Sequence, residues 1–282
     1  MPARRVVPVV YAVVIVMALA VPASAQLLLN EILLPPRSLA MGSASTAMRN
    51  ELEVSLGNPA GLSQMARAGL AAAGAVAGDI NFLGAGVFGI NTDRDRRYAF
   101  TLLEMDDDQL NFENTIVAGT ICLDMDARLS VGVNVKWVFN NPAGADSDDQ
   151  FTADVGLQYR VSPESERSAV VGAVLSNIFD QVSAGVDQGT QFALGAQAEL
   201  ASNITVVADV ADLFNAGPGG AVFRAGVEAG VGENILLRAG VNEGDSSLGA
   251  ALRAGKVRID VGWRNDTEVR EDIVTVGVSS SF

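Results

Sequence analysis

Apolar and polar side chains alternate with a period of two through most of this chain, and no other feature limits its fold so tightly. Over Phe151–Val161 one parity reads Phe151, Ala153, Val155, Leu157, Tyr159 and Val161, and the other Thr152, Asp154, Gly156, Gln158 and Arg160. Leu129–Phe139 sets Leu129, Val131, Val133, Val135, Trp137 and Phe139 against Ser130, Gly132, Asn134 and Lys136. Ile235–Asn242 and Val257–Arg264 repeat the pattern. Successive side chains of a strand point to opposite faces, so each segment has one apolar face and one polar or glycine face. About fourteen such segments fall between residues 67 and 282, with twelve as the lower count. Most run to about 9–13 residues, the length a tilted strand needs to cross a bilayer, whereas strands of globular proteins average about 5–6.

The connections support the same reading. Counting back from the end, Asn265–Asp272 is long, Gly255-Lys256 tight, Glu243–Ser246 moderate, Gly232-Glu233 tight, Asn215–Gly220 long, Ala201–Asn203 tight and Gln181–Gly189 long, with Ser162–Arg167, about six residues on the short side, as the exception. Short turns on one side and longer loops on the other are the habit of outer-membrane barrels. Lipid offers no hydrogen bonds, so spanning strands must close on themselves. The expectation is an all-β, closed antiparallel transmembrane β-barrel. An even strand count puts both ends of the barrel on the periplasmic side, and the alternating final strand ends on Phe282, which resembles the recognition signal that the outer-membrane assembly machinery reads in bacterial barrels. A soluble periplasmic β-sandwich with binding function is the competing architecture.

Two segments lack the period of two. Residues 1–25 carry Arg4 and Arg5, the apolar run Val6–Val21 and the small residues Ala23-Ser24-Ala25, the order of a cleaved secretory signal peptide. The run is short of the roughly 20 residues of a spanning helix. Residues 26–66 are rich in small side chains, as in Ser38–Met48, and precede the barrel of residues 67–282. A ring of this size is wider than one filled by its own side chains, so residues 26–66 are read as a plug or hatch within it, with a cap on its periplasmic side as the alternative.

Composition removes most chemistries. The chain of 282 residues has no histidine, one cysteine, 18% charged residues and a formal charge of −14. Imidazole-dependent triads and zinc sites are excluded, as is any internal disulfide. The acidic balance excludes nucleic acid as a partner. Gly84-Ala-Gly-Val-Phe-Gly89 fits the dinucleotide fingerprint by spelling alone, since strand-like sequence continues through it where a helix should start. Asp106–Asp108 and Asp146–Asp149 lack the ligand spacing of a calcium loop and read as solvated outer loops. No nucleophile elbow is visible and no cofactor is called for, so the chain reads as non-enzymatic.

Arg37-Ser-Leu-Ala-Met-Gly42, followed by Asn58-Pro59-Ala60-Gly61-Leu62, resembles the start of PorV/PorQ proteins and, more distantly, of FadL-type outer-membrane transporters. Phe151–Tyr159, Val171–Phe179 and the pair Phe223–Glu228 with Leu237–Val241 are similar to later stretches of that family. An aromatic that the family carries before its Asn-Pro-Ala-Gly motif is missing from Glu51–Gly57, and Ser280 stands where a bulkier residue is usual. Asn58, Pro59, Ala60, Gly61 and Leu62 read as a hinge from plug to wall, because proline stops a preceding helix and asparagine and glycine suit turns. The resemblance implies an outer-membrane protein acting in transport or in protein export. Its partners would be outer-membrane lipid and lipopolysaccharide, the barrel assembly machinery, and either secretion components with exported cargo or a hydrophobic small molecule. A non-conducting scaffold that docks secreted or surface proteins is the alternative.

Charges of the polar parity complete the candidates: Asp154, Arg160, Arg224, Glu228, Arg238, Arg253, Arg258, Asp260 and Arg264. An arginine facing lipid at mid-depth costs about 2–4 kcal/mol, so the lumen is their expected side. They form either a solute-selecting constriction or a network of ion pairs between plug and wall.

Overall fold

A computed structural model describes residues 35–282 except 50–55, 64, 78–79, 91–94, 108–111, 143–147, 162–167, 180–181, 184–185, 188, 215–219 and 267–270. The signal-peptide assignment therefore lies outside the described residues, as do parts of both acidic runs.

The wall begins with β1 (Gly69–Ala77), β2 (Ile80–Ile90), β3 (Arg96–Asp107), β4 (Phe112–Asp124), β5 (Leu129–Pro142), β6 (Asp148–Arg160) and β7 (Ala169–Ser176). It continues, after a small hairpin of β8 (Val182–Ser183) and β9 (Val186–Asp187), with β10 (Gln191–Ala201), β11 (Ile204–Ala211) and β12 (Val222–Val231). The remaining strands are β13 (Ile235–Asn242), β14 (Asp245–Ala254), β15 (Val257–Asp266) and β16 (Glu271–Ser281). Each wall strand pairs antiparallel with its neighbours, and β16 closes on β1 with Gly69 opposite Ser281, giving a closed barrel of fourteen strands. Hairpin β8–β9 stands outside that sheet and has no counterpart in the expected strand list. The run Gly84–Gly89 lies wholly within β2, and no helix follows it.

Alternation decides which way each strand faces. In β6, Phe151, Val155, Leu157 and Tyr159 are exposed, while Thr152, Asp154, Gly156 and Gln158 are buried. The same division holds in β3, with Tyr98, Phe100 and Leu102 outside and Arg97, Ala99 and Thr101 inside. Large apolar side chains thus cover the outer surface of every sector, including Trp137, Leu237, Ile259 and Val276. Water would penalise such a continuous apolar belt, whereas acyl chains match it. No described helix is long and apolar enough to cross a membrane.

Phe282, whose amide donates to the Ala68 carbonyl at 2.9 Å, marks the end that also carries the β10–β11, β12–β13 and β14–β15 turns, while the two-residue link Glu243-Gly244 between β13 and β14 lies at the other end. Gly232 and Gly255 adopt positive φ there, +67° and +62°, in the β12–β13 and β14–β15 turns. Side chains resist that backbone conformation, which makes these hairpins short.

Candidate functional site

Inside the wall lies the segment that precedes it. Pro36–Ala40 forms a single helical turn, α1, with proline at its start, and Pro59–Leu62 forms a 3-10 turn capped by Asn58, whose Oδ1 accepts the Ala60 amide at 3.0 Å. Both are fully enclosed, as are Met41, Ala44 and Met48 between them.

The segment follows a track of inward glycines, one on almost every strand it crosses. Pro36 lies over Gly277 of β16 and Gly262 of β15, and Ala40 over Gly249 of β14. Met41 and Gly42 then press on Gly240 of β13 and Gly226 of β12, and Thr46 and Ala47 on Gly195 of β10 and Gly172 of β7. Asn58 rests on Gly156 of β6, and Pro59 with Ala60 on Gly132 of β5. A Cβ at Gly240, Gly172 or Gly132 would collide with backbone, so the track admits this segment only because the wall has no side chains there. The strand without a track glycine, β11, offers Asp209 instead, which accepts the Thr46 amide at 2.8 Å. On β4 the Cys122 thiol faces the Ala60 carbonyl at 3.7 Å. The described segment is thus a collar running around the inner circumference, against the order of the strands.

Two polar clusters fasten it. In the first, Arg37 of α1 grips Glu228 of β12 with two bonds, Nε to Oε2 at 3.0 Å and Nη2 to Oε1 at 2.9 Å. Arg238 of β13 donates to Glu228 at 2.7 Å and to Asp260 of β15 at 2.7 Å, and Arg258 donates to Asp260 at 2.6 Å. Planar guanidinium forks suit such chains of carboxylates, and buried charges are tolerable only when paired in this way. Nearby, Gly42 donates its amide to Ser247 Oγ at 3.1 Å and Arg264 Nη1 donates to Ser43 Oγ at 3.1 Å.

The second cluster is nearly neutral. Asn58 Nδ2 donates to the Thr46 carbonyl at 2.6 Å and lies within 3.3 Å of the Leu157 carbonyl on β6. Gln158 Nε2 donates to the Met48 carbonyl at 2.8 Å. Beside it, Lys136 Nζ meets Asp154 Oδ1 at 2.9 Å and Asn177 Oδ1 at 2.8 Å, while Asn134 donates to Asp154 Oδ2 at 3.1 Å. Asn177 has a φ of +53° and lies just past the end of β7, its amide held by Asp154 at 3.0 Å.

The structure therefore joins Glu228, Arg238, Arg258 and Asp260 in one network and puts Asp154 in another. Arg224 and Arg264 face inward from β12 and β15. Arg160 faces inward at the turn end of β6. Arg253 has the inward parity but lies exposed beside the β14–β15 turn, opposite Arg258 across the pair, so it belongs to the rim. Asn58, Pro59, Ala60, Gly61 and Leu62 are all buried against the wall. Lys136, Asn134 and Asp209 went unselected although each stands on the polar parity of its strand, which was signal enough. Arg37 gave none, because it belongs to no strand.

No protein-family model matches the chain, and no curated protein matches it either. Solved structures do. The toluene transporter TbuX of Ralstonia pickettii superposes with a TM-score of 0.69 at 12% identity, over 90% of this chain and 100% of that one. The monoaromatic hydrocarbon channel CymD gives 0.64 at 13% identity, over 90% and 98%. A FadL homologue of Pseudomonas aeruginosa gives 0.61 at 9% identity, over 93% and 100%. At these identities the likeness is one of fold, and on that ground the chain is a closed fourteen-stranded antiparallel barrel of the architecture seen in FadL-type outer-membrane channels.

Proposed function

We propose that this protein lies in a bacterial outer membrane and carries small hydrophobic compounds across it, with residues 26–66 controlling the lumen. One observation carries the reading: an apolar belt on the outside encloses a charged lumen whose circumference is lined by an internal collar. Support comes from the solved barrels of the same architecture, which are described as hydrocarbon channels and a toluene transporter. The collar narrows a ring that would otherwise be wider than its side chains fill, and it leaves polar groups facing the remaining path. A wide water-filled pore would leak polar solutes; a constricted one restricts passage to small molecules.

The test is uptake of radiolabelled toluene by outer-membrane-bearing cells that lack their own FadL-type channel. Expression of the full chain is expected to raise the initial rate severalfold, and deletion of residues 27–57 to raise single-channel conductance in planar bilayers. Uptake equal to that of empty-vector cells overturns transport, and unchanged conductance overturns control by the collar. The export reading implied by the PorV/PorQ resemblance predicts the opposite combination, no uptake together with retention of exported cargo on the barrel.

A further inference from the structure

At the turn end of the lumen, Arg160 hides two guanidinium nitrogens that meet no acceptor among the described residues. Arg160 closes β6 on the inward face, two positions after Gln158, which binds the Met48 carbonyl of the collar. The two nitrogens are Nε and Nη2, both shielded from solvent. The acids nearby are committed elsewhere. Asp124 of β4 takes Arg97 on Oδ2 and the Ser130 hydroxyl on Oδ1, the latter at 2.7 Å. Glu199 of β10 faces Arg49 at 3.6 Å and accepts the Ser168 amide at 3.2 Å. Arg49 also donates to Ser168 Oγ at 2.8 Å, so it is anchored beside the same mouth. Among the described residues Arg160 thus stands beside Arg49, Arg97 and the already bonded Asp124 and Glu199.

Guanidinium N–H groups hidden from water without an acceptor are costly, and the geometry that relieves them is an oxyanion presenting two oxygens side by side to Nε and Nη2. We infer that Arg160 is the anchor of an oxyanion subsite at the periplasmic mouth of the lumen, taking a carboxylate or phosphate group. The oxyanion is either a free periplasmic ion or the acidic head of a solute leaving the lumen. The subsite does not depend on toluene uptake, because it rests on Arg160 and its committed neighbours alone.

Titration calorimetry on the full chain in amphipol, at low salt, with inorganic phosphate and with benzoate, tests it. Saturable binding of at least one anion is expected, weakened about tenfold or more in Arg160→Gln, the loss of one charge-assisted bonding group. Arg160→Lys should recover part of it, and Lys256→Gln, in the β14–β15 turn, should bind as the parent does. Binding of benzoate without phosphate assigns the site to a solute's acidic head; binding of phosphate assigns it to a free ion. Heat-modifiable migration on gels verifies that each variant is folded. Absence of binding by both anions, or unchanged binding by folded Arg160→Gln, overturns the assignment.

Discussion

The collar is held by the same track on two sides of the barrel but by different chemistry. Along β12–β15 it is tied by ion pairs, Arg37 to Glu228 and onward through Arg238 and Asp260 to Arg258. Along β5–β7 it is tied by a neutral amide, Asn58, reaching the Thr46 and Leu157 carbonyls over Gly156. On both sides glycine supplies the room, and the polar group supplies the hold. The difference teaches that close approach is common to the whole ring, whereas the cost of losing the fastening is local. A broken ion pair strands charge in a site that excludes water; a broken amide contact strands only dipoles.

Glu228→Ala should have the largest effect. It removes the shared acceptor of Arg37 and Arg238, and loss of one partner of a buried pair costs about 3–5 kcal/mol. Denaturant unfolding of the barrel in detergent measures it, and protease cleavage near Arg37 should accelerate in parallel. A change as small as that of a surface substitution would mean the charged arc does not fasten the collar. Asn58→Ala should come second, because it takes the acceptor from the Ala60 amide and one of two side-chain donors from the Thr46 carbonyl, at about 1–3 kcal/mol. Should it equal or exceed Glu228→Ala, the contrast between the two arcs fails.

The smallest effect lies outside the wall and serves as its reference. In the β4–β5 turn the amides of Leu129 and Arg128 donate to Asp126 Oδ1 at 2.8 and 2.6 Å, and these bonds, that of Leu129 foremost, hold its carboxyl below the usual carboxylate range. A carboxyl lowered by folding adds stability above its unfolded value of about 3.9 and loses it as the pH falls through the folded value. Asp126→Asn should therefore lower the unfolding midpoint slightly at neutral pH, and the difference from the parent should vanish in strong acid. Midpoints compared at both pH values provide the measurement; a gap that widens in acid contradicts the sign.

Much of the wall was legible in the sequence because its rule is local. A period of two needs only neighbouring residues, so the alternating stretches Leu129–Phe139 and Phe151–Val161 fall within a few positions of β5 and β6. The stretch Val171–Phe179 outruns β7, which stops at Ser176, since Asn177 turns away with positive φ over Asp154. Asp154, Glu228, Arg238, Asp260 and Arg264 stand buried on the polar parity of their strands, and Arg253, of the same parity, is exposed where its strand end reaches the rim. Pairings within the lumen were illegible, because Arg37 and Glu228 are separated by most of the chain.

By itself the sequence determined that strands of this length must hide one polar face and show one apolar face, a consequence of backbone geometry and of the solvent each face can tolerate. Only the tertiary structure decided that glycines scattered over nine strands line up as one circumferential path, that Asn58 and Arg37 are two fastenings of a single collar, and that Nε and Nη2 of Arg160 meet no acceptor among the described residues. Closing the sheet sets those alignments through the register of every strand against the next, and register is a sum over the whole ring that no single stretch of residues contains.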